Sequence, residues 1–143
     1  MELGGNAPYI VFNDANIDDA IAGILANKYR NAGQTCICAN RIFVQADIYD
    51  SFLSRLKTEI MNLKMGDGTD HEVNIGPLIN IKAAQNVRNI IQDAIDKGAQ
   101  MATGTSLEAE NESNFIPPTI LTHATTDMRV FTDEIFGLSL IHI

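Results

Sequence analysis

The residue with the strongest latent chemistry in this sequence is Cys36, which closes the tract Gly33-Gln34-Thr35-Cys36. A thiolate is an intrinsically strong nucleophile, but a thiol with the ordinary pKa of about 8.5 is mostly protonated at neutral pH. Its surroundings must therefore activate it, and on residue type alone a buried structural cysteine competes with the nucleophile. Cys38 stands one residue further on. Two thiols so close in sequence cannot staple distant parts of a fold, so they are no disulfide framework. They also make a poor metal site, because zinc ligands are typically paired across roughly two to four residues and His71, His123 and His142 are scattered. Arg30, six residues before Cys36, carries a planar guanidinium able to grip a carboxylate through two parallel hydrogen bonds; an ordinary surface Arg near a helix end is its alternative. Glu2 is a carboxylate able to hold a proton transiently, or a solvated terminal acid. Late in the chain, Asp133-Glu134-Ile135-Phe136-Gly137 sets an acid beside an aromatic.

These groups need a scaffold, and 143 residues suffice for one domain or part of a larger one. With 45% hydrophobic and 20% charged residues the composition is that of an ordinary globular chain. Ten Lys and Arg against eighteen Asp and Glu leave a net charge of −8, the wrong sign for a nucleic-acid or anionic-membrane surface. No apolar run approaches the roughly 20 residues of a membrane span, and the opening Met1-Glu2-Leu3-Gly4-Gly5 lacks the basic and apolar regions of a leader. The chain reads as cytoplasmic.

The pattern predicts alternating strands and helices. Tyr9 to Phe12 forms a short apolar run, followed by a helix that Asn16 caps and whose apolar face holds Ile17, Ala20, Ile21, Ile24 and Leu25. That helix fades near Asn31-Ala32-Gly33, so both cysteines fall in a connection. Arg41 to Gln45 reads as a second strand, and Asp47 is the expected cap of a second helix carrying Tyr49, Phe52, Leu53, Leu56, Ile60 and Leu63. A polar loop follows. Asn80 then caps a third helix with a buried stripe of Ile81, Ala84, Val87, Ile91, Ala94 and Ile95, ending at Lys97-Gly98. A strand over Ala99 to Thr103, an acidic loop over 106–114 and the apolar run Phe115 to Leu121 complete the reading. Such alternation implies an α/β fold, an open parallel sheet with helices on its faces.

Three tracts in this order, Glu2-Leu3-Gly4-Gly5, Gly33-Gln34-Thr35-Cys36 and Glu134-Ile135-Phe136-Gly137, form a specific pattern. From Glu2 to about Gly137 the sequence resembles the aldehyde dehydrogenase superfamily, and the stretch Lys28 to Arg41 resembles its succinate-semialdehyde dehydrogenase branch. The resemblance implies the fold of that family's catalytic domain across residues 1–143, in part, and oxidation of an aldehyde with NAD or NADP. It makes Cys36 the nucleophile, whose backbone N–H helps hold the oxyanion, and Glu2 the base that activates water against a thioester. It places Leu3 and Gly4, Glu134 and Phe136 at the cofactor, and Arg30 on the acid end of a substrate such as succinate semialdehyde. It makes Cys36 and Cys38 a candidate reversible redox pair, as the matching pair is in some members of the branch, with packing as the alternative role of Cys38, and it implies that full-length members are homo-oligomers.

After Gly137 the resemblance breaks, because the family continues Gly-Pro where this chain has Leu138-Ser139-Leu140-Ile141-His142-Ile143. The tail is expected to be a scar whose exposed apolar residues promote association. The Gly-rich phosphate loop of a cofactor domain does not occur in these residues. A catalytically silent fragment serving as an assembly module is accordingly the alternative to an oxidoreductase. A cysteine hydrolase is weaker, since none of the three His lies in a motif that marks it as the thiol's base.

Overall fold

A computed structural model describes residues 4–104 and 113–142; Glu2, Leu3 and most of the acidic loop over 106–114 lie outside the described residues. The elements run β1 (Ala7–Val11), α1 (Ile17–Lys28), β2 (Ala39–Val44), α2 (Tyr49–Met61), α3 (Ile81–Asp96), β3 (Gln100–Thr103), β4 (Thr119–Thr122), α4 (Arg129–Thr132) and β5 (Ser139–His142). The strands form one sheet in the order β1-β2-β5-β4-β3. Pairing is parallel between β1 and β2, β2 and β5, and β5 and β4. It is antiparallel between β3 and β4. The all-parallel expectation thus fails at one edge, for a simple reason: no helix separates β3 from β4, so the chain turns back beside itself instead of crossing over.

Local chemistry explains most of the elements. Asn16 accepts from the amides of Asp18 and Asp19, and Asn80 from that of Ala83, so both predicted caps form. Asp47 does not cap α2. It lies in a 3-10 turn over Ala46–Ile48, α2 starts at Tyr49 without a side-chain cap, and Ser51 instead donates to the Ile48 carbonyl. The core joins α1, α2 and α3 to the sheet through Ile24, Ile42, Phe52, Leu56, Ile91 and Ile120, all essentially inaccessible. Ile81 departs from its predicted stripe and is half exposed. The buried face of α3 instead takes in Arg88, whose guanidinium donates to the carbonyls of Ser113 and Phe115 at 2.7 and 3.2 Å. Both bonds come from Nη2, and the buried Nη1 has no partner among the described residues.

The tail is paired into the sheet. Leu138 is fully buried, and residues 139–142 form β5, paired with β2 on one side and β4 on the other. None of the helices is long and apolar enough to cross a membrane, among the described residues.

Candidate functional site

Topology brings the three sequence tracts together. Gly5 immediately precedes the approach to β1, Cys36 precedes β2 and Gly137 precedes β5. These strands are parallel neighbours in the order β1-β2-β5, so all three tracts lie at the sheet's amino-terminal edge.

Glycine lets them touch. A Cβ on Gly5 would stand 1.9 Å from the Cys36 carbonyl oxygen, and one on Gly4 would stand 2.7 Å from Glu134 Oε2. A Cβ on Gly33 would stand 2.4 Å from the Gly137 oxygen. Gly4 and Gly33 also have φ of 71° and 75°, where a side chain is strained as well as obstructed. The first tract therefore packs on the second and on the third, and the second packs on the third.

The turn carrying Cys36 departs from the end of α1. A 3-10 turn over Arg30–Gly33 follows Tyr29, and inside it Asn31 and Ala32 both take left-handed conformations, with φ of 51° and 55°. Asn tolerates that region through local hydrogen bonds, whereas Ala at such a φ costs on the order of 1 kcal/mol and persists only where its surroundings over-determine it. The over-determination is visible at the root of the turn. Asn27 accepts from Ala39 N at 2.6 Å and donates to the Ile37 carbonyl at 3.3 Å, so the last turn of α1 grips the start of β2.

Cys36 is half-buried at the head of this turn and Cys38 is buried beneath it; both are free thiols. Cys38 Sγ lies 3.0 Å from Thr35 Oγ1 and donates to the carbonyl of Asn27 at 3.4 Å. Its position is that of a small internal anchor. Arg30 is exposed, and its guanidinium forms no hydrogen bond or ion pair with the described residues. Glu134 is half-buried beside Gly4, with Oε1 buried and without a partner among the described residues. Phe136 is 47% exposed, with φ of 50°. Glu2 and Leu3 lie outside the described residues.

Several residues that build the site carry no motif. Arg41 donates through Nε and Nη2 to the Asn6 carbonyl at 3.0 and 2.6 Å, and its guanidinium lies 5.2 Å above the Phe131 ring. Asn6 in turn donates to the Phe131 carbonyl at 2.9 Å, tying the approach to β1 to α4. A charged residue inside the otherwise apolar Arg41 to Val44 run was the signal for this anchor.

Lys28 is the other. It is completely buried at the end of α1, where it donates to Asn40 Oδ1. Burial pulls its ammonium down to about 8, with the neighbouring Cys38 acting in the opposite sense. The unfolded chain binds that proton with the ordinary value of 10.5. Between the two values the unfolded state holds more protons, so stability rises with pH through that window. Relative to Lys28→Met, which has nothing to titrate there, the native chain is expected to gain up to about 3 kcal/mol between roughly pH 8 and pH 10. Urea unfolding of both chains across the window checks this; parallel curves would mean that the ammonium reaches water in the fold.

A cavity of about 530 Å³, lined by Met61, Met65, Pro117 and Pro118 among others, shares no residue with the Cys36 turn. Among the described residues no three His, Cys, Asp or Glu side chains gather as metal ligands would.

The sequence profile described as the aldehyde dehydrogenase family matches residues 1–141. The chain is 49% identical over 137 residues to an Escherichia coli protein named succinate-semialdehyde dehydrogenase, NADP(+), covering 96% of this chain and 28% of that protein. It is 47% identical over 137 residues to a glutarate-semialdehyde dehydrogenase of Pseudomonas putida, again covering 96% of this chain and 28% of that protein. Among solved structures, the succinate-semialdehyde dehydrogenase of Burkholderia pseudomallei superposes with a TM-score of 0.93 at 46% identity, over 99% of this chain and 29% of that one. The chain thus spans less than a third of the length of the curated relatives it matches.

Proposed function

Because this chain belongs to the aldehyde dehydrogenase family, we propose that it carries the nucleophile-bearing part of an enzyme oxidising an acid-bearing aldehyde, succinate semialdehyde foremost, with NAD or NADP. The observation that carries this reading is the mutual contact of Gly5 with Cys36, Gly4 with Glu134 and Gly33 with Gly137 at one edge of the sheet. Strand order brings the three tracts near one another, and each contact is so close that it leaves no room for a side chain.

The residues fit a nicotinamide cofactor on one observation. Glu134 packs one carboxylate oxygen, Oε2, where a side chain on Gly4 would stand and keeps the other, Oε1, buried and without a partner among the described residues, and a carboxylate suits a pair of ribose hydroxyls. Glu134 and Gly4, with Leu3 and with Phe136 as an exposed aromatic, would hold the cofactor, which when bound accepts the hydride. The remaining steps belong to this chain. Cys36 sulfur adds to the aldehyde carbon, forming a C–S bond and an oxyanion toward which the Cys36 backbone N–H donates. Once that carbon has lost its hydride it remains on sulfur as a thioester. Glu2 takes a proton from water, the hydroxide adds to the thioester carbon, and the C–S bond breaks to release the acid and restore the thiolate.

Arg30 sets the substrate class. Its exposed guanidinium, unpaired among the described residues, stands on the same turn as Cys36. The relatives named for succinate and glutarate semialdehydes act on aldehydes whose other end is a carboxylate. In an assay of NAD(P)H formation, Arg30→Gln is expected to raise KM for succinate semialdehyde by about 10- to 100-fold, the worth of a charge-assisted bidentate pair. The same variant should oxidise butanal, which has no carboxylate, at the parent's kcat/KM. Equal losses on both aldehydes would assign Arg30 to the turn rather than to the substrate.

A further inference from the structure

Gln34, two residues before Cys36, is held at both ends of its side-chain amide. Its Oε1 accepts from the backbone N–H of Ile79 at 2.9 Å, while its Nε2 donates to the Asn31 carbonyl at 3.1 Å. Asn31 returns the bond, its Nδ2 donating to the Gln34 carbonyl at 3.2 Å. The Gln34 backbone N–H donates to the Asn31 carbonyl as well, at 3.1 Å. The far end of this bridge is fixed. Leu78, next to Ile79, is buried and exchanges two hydrogen bonds with Asn114, at 2.8 and 2.7 Å, and Asn80 on the other side is the cap of α3.

The near end needs fixing. Asn31, Ala32 and Gly33 are three successive left-handed residues, a run that side-chain-bearing residues hold only under constraint. Gly33 is blocked from one direction by Gly137 and Cys36 by Gly5. Gln34 supplies the third direction, against the segment leading into α3. We infer that Gln34 is a positioning residue, clamping the Cys36 turn to the Ile79 amide so that the sulfur and the Cys36 N–H face a carbonyl group together. The inference rests on Cys36 being the nucleophile.

Two reagents separate positioning from thiol ionisation. With p-nitrophenyl acetate, Cys36 sulfur attacks the ester carbon, p-nitrophenolate leaves with the C–O bonding pair, and a thioester remains; the path runs through an oxyanion that the turn must face. With iodoacetamide the sulfur displaces iodide directly, with no oxyanion. Both rates scale with the thiolate fraction, so their ratio reads geometry.

On the purified chain, Gln34→Ala is expected to slow acylation about tenfold, a sub-ångström misplacement by the scale on which about 1 Å costs 100-fold, with alkylation within about twofold of the parent. Gln34→Glu, which still accepts from the Ile79 amide but cannot donate to Asn31, should recover part of the loss, to about threefold below the parent. An unchanged acylation rate in Gln34→Ala, or acylation and alkylation falling together, would overturn the inference. Should Gln34→Ala fail to unfold cooperatively, Gln34→Asn is read in its place: it keeps the amide on an arm one carbon too short, and a parent-like ratio there overturns the inference equally. A parent chain acylated no faster than Cys36→Ala would instead overturn Cys36 as nucleophile.

Discussion

Cys36→Ala is expected to abolish NAD(P)H formation from succinate semialdehyde, a loss on the order of 10⁴-fold or more. On the proposed mechanism the sulfur takes part in every bond change after binding: without it there would be neither an adduct to oxidise nor a thioester to hydrolyse. The fold should scarcely notice. Cys36 is half-buried at the head of a turn held by other residues, so its replacement belongs with the surface substitutions that change stability by about 0.5 kcal/mol or less. Parallel measurement of turnover and of the urea midpoint separates the two effects. Equal activity in both chains, with none in a mock purification lacking the chain, would remove Cys36 from the mechanism.

The second large effect belongs to a residue with no functional group. Gly5→Ala is expected to lower both turnover and stability, because its methyl would stand 1.9 Å from the Cys36 carbonyl oxygen and contacts under 3.0 Å do not survive. Backbone meets backbone here, so no side chain can swing aside. The two strands of chain must part by about 1 Å, which on the scale of oriented reactions costs on the order of 100-fold in rate. Overpacking of this kind adds about 1–3 kcal/mol of destabilisation. The check is kcat/KM together with the urea midpoint, and Gly68→Ala, where an added methyl meets nothing within 4 Å, is the control. A Gly5→Ala chain as active as that control would mean that the Cys36 turn can retreat without consequence.

Periodicity sufficed for α1 and α3 because their cap residues and apolar faces speak through local chemistry: Asn16 and Asn80 sit where the sequence says. Asp47 misled because its side chain offered a cap while the backbone instead spent three residues in a tighter turn. β5 was missed for a different reason. Its place depends on pairing with β2 and β4, elements distant in sequence, and no pattern within six residues encodes such a partner. Cys36, Glu134 and Arg30 were nameable as candidates from motif and resemblance, whereas their common location at the amino edge of the sheet required strand order. Gln34 appeared in the motif only as a neighbour of Cys36; that it reaches Ile79 is a tertiary fact. Lys28 and Arg41 were hidden because a cation in an apolar stretch shows that something must satisfy it but not what.

The place of β5 between β2 and β4 has a consequence for the order in which the chain can fold as it leaves the ribosome. β1 with β2, and β3 with β4, are available early, yet each pair alone is a two-stranded piece of marginal stability. Only when Ser139–His142 emerges can the halves join through a strand that touches both. Until then the nascent chain holds two exposed inner edges of the kind that recruit foreign strands. Joining of the two halves of the sheet and the Gly33–Gly137 contact therefore wait on β5, whereas the Gly5–Cys36 contact can form with β1 and β2.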